Sequence, residues 1–376
     1  MLKKSSTYLK SIENLLGKQC PELSLFSEIE LLKIRDIYLN YISYNNYSDW
    51  LIECFKDFKT KEDFWQKIDF LRTSFLKQEQ NNGVDNQYIK LLKDILFYGD
   101  KKYNERTKVF TKSLESIKLS FDLQDCIPLL SVKKMFPKNG FNELMFFLRG
   151  QTNTKILEEH KINYWKGNTS REFLDKRNLN FLLEGEMGCG YGHQFRNFGG
   201  EHPLISETKN LKGVDQLDIL MKELKEDPNS RRLIINLWNP KQLHLSALPP
   251  CHLYYQVTCN KEKKELSGFL LMRSWDVFLG LPQNIYQYSL ITYFLAHYMG
   301  YTAKNLNCVG VDTHLYSNQF EAVETLLLKE KTEYSKPILK INKKIDNLDD
   351  LISLNYSDIK IKNYNPDNFI PVPMVV

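Results

Sequence analysis

The sequence predicts an α+β protein. Three observations predict it: an N-terminal region with apolar residues at helical spacing, a later region where helical and β-like stretches mix, and two strand-like runs joined by a charged turn. Over residues 5–80 the apolar positions recur every three to four residues in SLFSEIELLKIRDIYLNYI and again in FWQKIDFLRTSFL, with few helix-breaking residues between them. The polar stretch KQEQNNGVDNQ at 77–87 lacks that period and contains a glycine, so it reads as a linker closing an α-helical extension over 1–87. A second domain is expected over 88–376. It begins with a helix at YIKLLKDILFYG and an extended stretch near SIKLSFDL. Residues 252–274, HLYYQVTCNKEKKELSGFLLMRS, predict two strands, because β-branched and aromatic residues flank a polar, turn-forming cluster. A long helix should run from about Gln283 to Met299, where Gly300 supplies its stop.

A chain of 376 residues exceeds the usual single domain, which fits an extension followed by a larger domain. Hydrophobic residues make up 42% and charged residues 26%, a globular balance rather than a disordered one. No apolar run could cross a bilayer, and the opening MLKKSSTYLKSIENLL is broken by Lys10 and Glu13, unlike a secretory signal. Residence in the cytoplasm is therefore expected. Seven cysteines, at 20, 54, 126, 189, 251, 259 and 308, form no CxxC pair, so they signal neither a zinc site nor a disulfide framework. The net charge of +5 is mild, and Lys and Arg alternate with acids, so no stripe for nucleic acid is expected. A small anionic substrate suits that balance.

The most informative segment is LSALPPCHLYYQ at 245–256, where two prolines hold the chain extended just before Cys251 and a strand follows it. A thiol fixed in this way becomes a nucleophile if basic groups lower its pKa, and stays inert if its surroundings are apolar. The segment alone leaves both readings open, the inert one being the commoner. Asp312 and His314 have the spacing of a metal-ligand pair, but no third ligand is evident and no metal is expected.

Three ordered motifs change the weighing: LPPCH, then MRSWDVFLGLPQNIYQYSL at 272–290, then GVDTHLYSN at 310–318. With GVDQLDILMKELKEDPNSRRLIINLWNP at 213–240, a helix at FNELMFFLRGQTN (141–153) and NERT at 104–107, they resemble the thymidylate synthase family over residues 88–376. The resemblance implies a fold with a large mixed β-sheet at a homodimer interface. It implies 5,10-methylenetetrahydrofolate as co-substrate and dUMP as acceptor, with Cys251 adding to C6 of the pyrimidine so that C5 becomes a carbon nucleophile. Glu143 matches the acid that orders water, and Tyr191 a hydroxyl that helps move the C5 proton. Arg106, Arg273, Ser274 and the pair Arg231 and Arg232 match phosphate contacts, the last two reaching across the dimer interface. Asn284 would read uracil, because a carboxamide offers both a donor and an acceptor. His314 and Tyr316 would hold the sugar hydroxyl, Asp276 would contact base and folate through its main chain, Trp165 would lie beside the folate, and Val376 would close over it. Without the resemblance each is blander: Glu143 a helix residue, Tyr191 and Trp165 core aromatics, the arginines surface ion pairs, Asn284 a helix cap.

Several positions depart from the family pattern. The glycine-rich run after its phosphate arginine is TKVFT here, which should constrain the loop, since glycine alone tolerates positive φ freely. Met272 replaces a glutamine, Trp275 a small residue, Gln283 a phenylalanine, Val311 a glycine and Phe136 a histidine. Met before Arg-Ser resembles phage deoxycytidylate hydroxymethylases, which end the reaction by adding water instead of hydride. Together with Asn284 this leads us to expect a bacteriophage deoxyuridylate hydroxymethylase serving DNA modification in the host-cell cytoplasm. A divergent thymidylate synthase is the alternative, supported by Trp165 and the C-terminal valine, and a catalytically silent binding protein of the same fold is a third reading.

Overall fold

The computed structural model describes Thr60 and residues 83–204, 212–328 and 334–375. The helical reading of residues 5–80 therefore lies outside the described residues, apart from Thr60 in a bend. The elements that position the site are, in chain order, helix α1 (Val84–Tyr98), strands β1 (Asp100–Asn104) and β2 (Val109–Asp122), and helices α2 (Pro137–Leu148), α3 (Tyr191–Arg196) and α4 (Gln216–Glu226). They are followed by strands β3 (Ile234–Asn236), β4 (His252–Asn260) and β5 (Glu265–Asp276), helix α5 (Gly280–Met299), strand β6 (Thr302–Tyr316), helix α6 (Phe320–Leu327), and a small hairpin of β7 (Ile338–Ile341) and β8 (Ile359–Lys362).

Helix α1 starts at Val84, so the last four residues of the expected linker are helical. Val84, Tyr88, Leu91, Leu92, Ile95 and Leu96 form one buried stripe, and this apolar face holds the turn before Tyr88 in the helix. The Asp85 carboxylate anchors that first turn by accepting hydrogen bonds from the Ser131 and Val132 amides, at 2.7 and 2.9 Å, and from the Ser131 hydroxyl. The helix expected over 141–153 runs instead from Pro137 to Leu148. Proline is tolerated at its N-terminus, and Gly150 with φ +73° turns the chain immediately afterwards.

Six strands form one mixed sheet in the order β1-β2-β6-β5-β4-β3. All neighbours are antiparallel except β5 and β6, which are parallel and joined by α5, the crossover that parallel pairing requires. The strands expected over 252–274 are β4 and β5, joined by a turn at 261–264. Period-two alternation buries Leu266, Gly268, Leu270 and Met272 on one face and leaves Ser267, Phe269 and Leu271 half-buried on the other. Helix α5 packs on β5 and β6, and Gly268 permits the approach: a Cβ there would lie 2.5 Å from the Thr292 hydroxyl. Gly300, with φ 66°, ends α5 in the left-handed conformation, as expected.

The β1–β2 turn carries Arg106. Without the family's glycines, the left-handed position falls on Lys108 (φ 57°), whose amide donates to the Asn104 carbonyl at 2.8 Å. An L-residue accepts this at a local cost of ~1 kcal/mol.

Candidate active site

The two prolines before Cys251 do more than extend the chain. Arg273, on β5, donates from Nε to the Pro250 carbonyl at 2.8 Å and from Nη2 to the Pro249 carbonyl at 2.9 Å, and its amide donates to the Cys251 carbonyl at 3.0 Å. Proline has no N–H with which to compete, so the forked guanidinium clamps two consecutive acceptors. From the other side the Cys251 amide donates to the Tyr191 hydroxyl at 2.8 Å. Burial pushes the Cys251 thiol up, while Arg273 and Arg106 pull it back toward the thiolate. Arg106 also acts on Tyr316, so the hairpin turn that holds it faces this centre.

Glu143 sits on α2 with both carboxylate oxygens bound: Oε1 accepts from the indole N–H of Trp165 at 2.7 Å, and Oε2 from the Gln287 amide at 2.7 Å. Burial raises its pKa, and these two hydrogen bonds oppose the rise. Tyr191 packs between Trp165, with centroids 5.8 Å apart, and the His252 ring at 4.6 Å, linking the carboxylate to the thiol. Burial pushes the Tyr191 phenol up as well.

Asn284 begins the second turn of α5. Its Oδ1 accepts from Trp275 Nε1 at 3.1 Å, and its Nδ2 lies 2.9 Å from His252 Nε2. Asp276 accepts from the amides of Phe278 and Leu279, at 3.0 and 3.1 Å, and from Gln319. Across the β5–β6 ladder Asp276 pairs with His314, and Ser274 with Asp312. His314 packs edge-on against Tyr316 with ring centroids 4.9 Å apart, and its buried Nε2 has no hydrogen-bond partner among the described residues. A buried imidazole nitrogen in that state is open to a ligand hydroxyl.

A cleft of about 460 Å³ opens beside these groups, with Glu143, Tyr164, Asp276, Gln283 and Asn284 in its walls. Phe136 and Phe369 meet at its rim, centroids 5.3 Å apart, and Val372 and Met374 of the C-terminal segment also line it. Aromatic walls with Lys133 and Lys134 beside them suit a planar, anionic ligand.

Residues 86–376 match the thymidylate synthase family. The chain belongs to that family. It is 37% identical over 298 residues to the thymidylate synthase of Agaricus bisporus, covering 78% of this chain and 99% of that protein. It is 36% identical to the thymidylate synthase of Ascaris suum, covering 78% and 98%. It is also 37% identical to the bifunctional dihydrofolate reductase-thymidylate synthase of Zea mays, where the match covers 84% of this chain and 59% of the relative's length. As a member of the thymidylate synthase family, the chain is a methylenetetrahydrofolate-dependent transferase acting at C5 of dUMP.

Within this thymidylate synthase fold, Cys251, Tyr191, Arg273, Glu143, Trp165 and Asn284 come together in one chain. Arg231 and Arg232 do not join them; they are exposed in a separate surface cleft with Glu223, Glu226 and Asp227. Val376 lies outside the described residues. Among the described residues no cluster of three or more His, Cys, Asp or Glu side chains could hold a metal ion, and no helix is long and apolar enough to cross a membrane.

Sequence reasoning missed Lys133, Gln287, His252 and Gln319. Lys133 is buried in the cleft wall, donates to the Phe278 carbonyl and lies 3.7 Å from the Phe278 ring centroid; burial pulls its pKa down to about 7. A lysine inside the apolar run IPLLSVKKMF was the available signal. Gln287 stands three residues after Asn284, which the helical period already placed on nearly the same face.

Proposed function

We propose that the chain is a thymidylate synthase in activity, converting dUMP and methylenetetrahydrofolate to dTMP and dihydrofolate. The observation that carries this reading is the match along nearly the whole length of proteins named thymidylate synthase. It favours methyl transfer over the hydroxymethyl transfer expected from Met272 and Gln283. Met272 is a fully buried core residue in β5, which weakens its weight as a product signature.

The residues have separable tasks. Cys251 attacks C6 of uracil, and the electron pair displaced from the C5–C6 double bond moves onto C5 and O4. Asn284 binds N3–H and O4, so it stabilises the developing enolate where charge collects. C5 then bonds to the one-carbon unit of the folate. Glu143 orders water and accepts protons, which its raised pKa suits, and Tyr191 assists removal of the C5 proton. Loss of the C5 proton expels the folate nitrogen and leaves an exocyclic methylene on C5. Hydride from tetrahydrofolate reduces it to the methyl group, leaving dihydrofolate, and the electron pair returned to C5 expels Cys251 from C6 and restores the double bond. Arg106, Arg273 and Ser274 hold the phosphate, and His314 and Tyr316 hold the sugar hydroxyl. Trp165, Asp276 and Val376 act on the folate side. Lys133 offers charge to the carboxylates of the folate.

Arg231 and Arg232 serve the partner subunit of a homodimer, which accounts for their place on a separate surface. Residues 1–82 form an extension to the catalytic domain, which begins with helix α1 at Val84, and the protein works in the cytoplasm.

One observation favours a second reading, the deoxyuridylate hydroxymethylase. Gln283 lines the cleft beside Asn284, and its buried Oε1 lacks a hydrogen-bond partner among the described residues. Rotated away from Gly140 and into the cleft, that amide would supply an acceptor for water. Mass analysis of the nucleotide and folate products separates the two: dTMP with dihydrofolate supports the synthase, and hydroxymethyl-dUMP with tetrahydrofolate overturns it. If Gln283→Phe leaves the product ratio unchanged, Gln283 does not direct water.

A further inference from the structure

We infer that Trp275 is a positioning residue that fixes the Asn284 carboxamide in the orientation that reads uracil and rejects cytosine. The inference rests on the dUMP reading of the site. An indole N–H only donates, so the Asn284 atom 3.1 Å from Trp275 Nε1 must be the carbonyl oxygen. The amide nitrogen is thereby turned toward His252 Nε2, 2.9 Å away.

Burial holds His252 neutral, so one ring nitrogen carries the hydrogen. Because Asn284 Nδ2 donates, Nε2 must accept, leaving Nδ1–H to donate to the Tyr288 hydroxyl at 3.1 Å. The hydrogen bonds thus run one way, from Trp275 through Asn284 and His252 to Tyr288.

With one lone pair and one N–H spent, Asn284 presents one acceptor and one donor to the cleft. Uracil offers N3–H and O4, which fit that pair. Cytosine offers the reverse, a bare N3 and an N4 amino group, and needs the carboxamide flipped. The flip would set the amide NH₂ against the indole N–H inside a fully buried contact, since Trp275 is 0% exposed.

The indole sits there because position 310 has no side chain. A Cβ at Gly310 would lie 2.6 Å from Trp275 Cε3. The lock therefore depends on the pairing of Trp275 with Gly310.

The test compares dUMP with dCMP as substrates, by kcat/KM, in the full-length wild type, Trp275→Phe and Gly310→Ala. Both variants should narrow the dUMP preference by about 10-fold or more, the equivalent of one buried donor left unmatched. A folded Trp275→Phe with unchanged preference overturns the proposal while leaving the dUMP reading intact. A wild type that uses neither nucleotide overturns both. If the variants do not fold, ¹⁵N NMR of wild-type His252 decides: the Nδ1–H tautomer is expected, and the Nε2–H tautomer overturns the lock.

Discussion

The indole N–H of Trp165 meets the Glu143 carboxylate at 2.7 Å, across 22 residues of sequence. A donor so placed favours the ionised form and works against the burial that raises the Glu143 pKa. Trp165→Phe should therefore lift that pKa further. A reaction that needs the carboxylate then loses rate at its acid limb, which should move to higher pH by about one unit. The measurement is kcat against pH, and an unmoved limb would separate Trp165 from Glu143 ionisation. Glu143→Gln should lower kcat by about 10² to 10⁴.

Arg273 binds both proline carbonyls ahead of Cys251. Lysine keeps the charge but cannot reproduce the fork. Arg273→Lys should slow covalent capture of Cys251 by a fluorinated dUMP analogue with folate by about 10-fold or more, in line with loss of a charge-assisted bond. Capture at the wild-type rate would show that the clamp does not position the thiol.

His252 gives the fold a pH dependence. Its pKa is pushed down from 6.5 to about 3 by burial, so below pH 6.5 the unfolded chain takes up a proton that the folded chain refuses. Stability should be complete above pH 6.5 and fall toward pH 3, with this group contributing about 1.4 kcal/mol per pH unit. His202, pushed down to about 4, adds to the same window. Urea unfolding of His252→Gln between pH 4.5 and 7 should show a slope shallower by one proton, and an equal slope would refute the assignment.

Lys133 lines the cleft together with Phe136, Asn139 and Tyr164. Lys133→Met should raise KM for methylenetetrahydrofolate by about 10-fold, the scale of one hydrogen bond to a charged group, with a smaller change in KM for dUMP. Equal changes in both would argue for a purely structural lysine.

Much of this protein was legible in its sequence because the relevant signals are local. β-Branched and aromatic residues around a charged turn marked β4 and β5, Gly300 marked the end of α5, and the ordered motifs around Cys251, Asn284 and His314 pointed to the family. Helix limits were less legible: α1 begins before Tyr88 because its Val84 turn is anchored on Ser131, a partner 46 residues from Asp85. The product was less legible: Met272 and Gln283 suggested a hydroxymethylase, while the relatives favour the synthase alternative, and identity alone does not say that Met272 is buried in the core.

By itself the sequence determined which groups are present, in what order, and on which faces of their own elements. Only the tertiary structure decided which of them touch. Glu143 and Gln287 are 144 residues apart yet bonded, Arg273 reaches back across the β4–β5 pair to hold the Cys251 loop, and Trp275 meets Asn284 in space left by Gly310. Periodicity reports the local direction of a side chain, whereas a hydrogen-bond partner depends on how the sheet and α5 pack. That packing fixes charge, tautomer and amide orientation at the site.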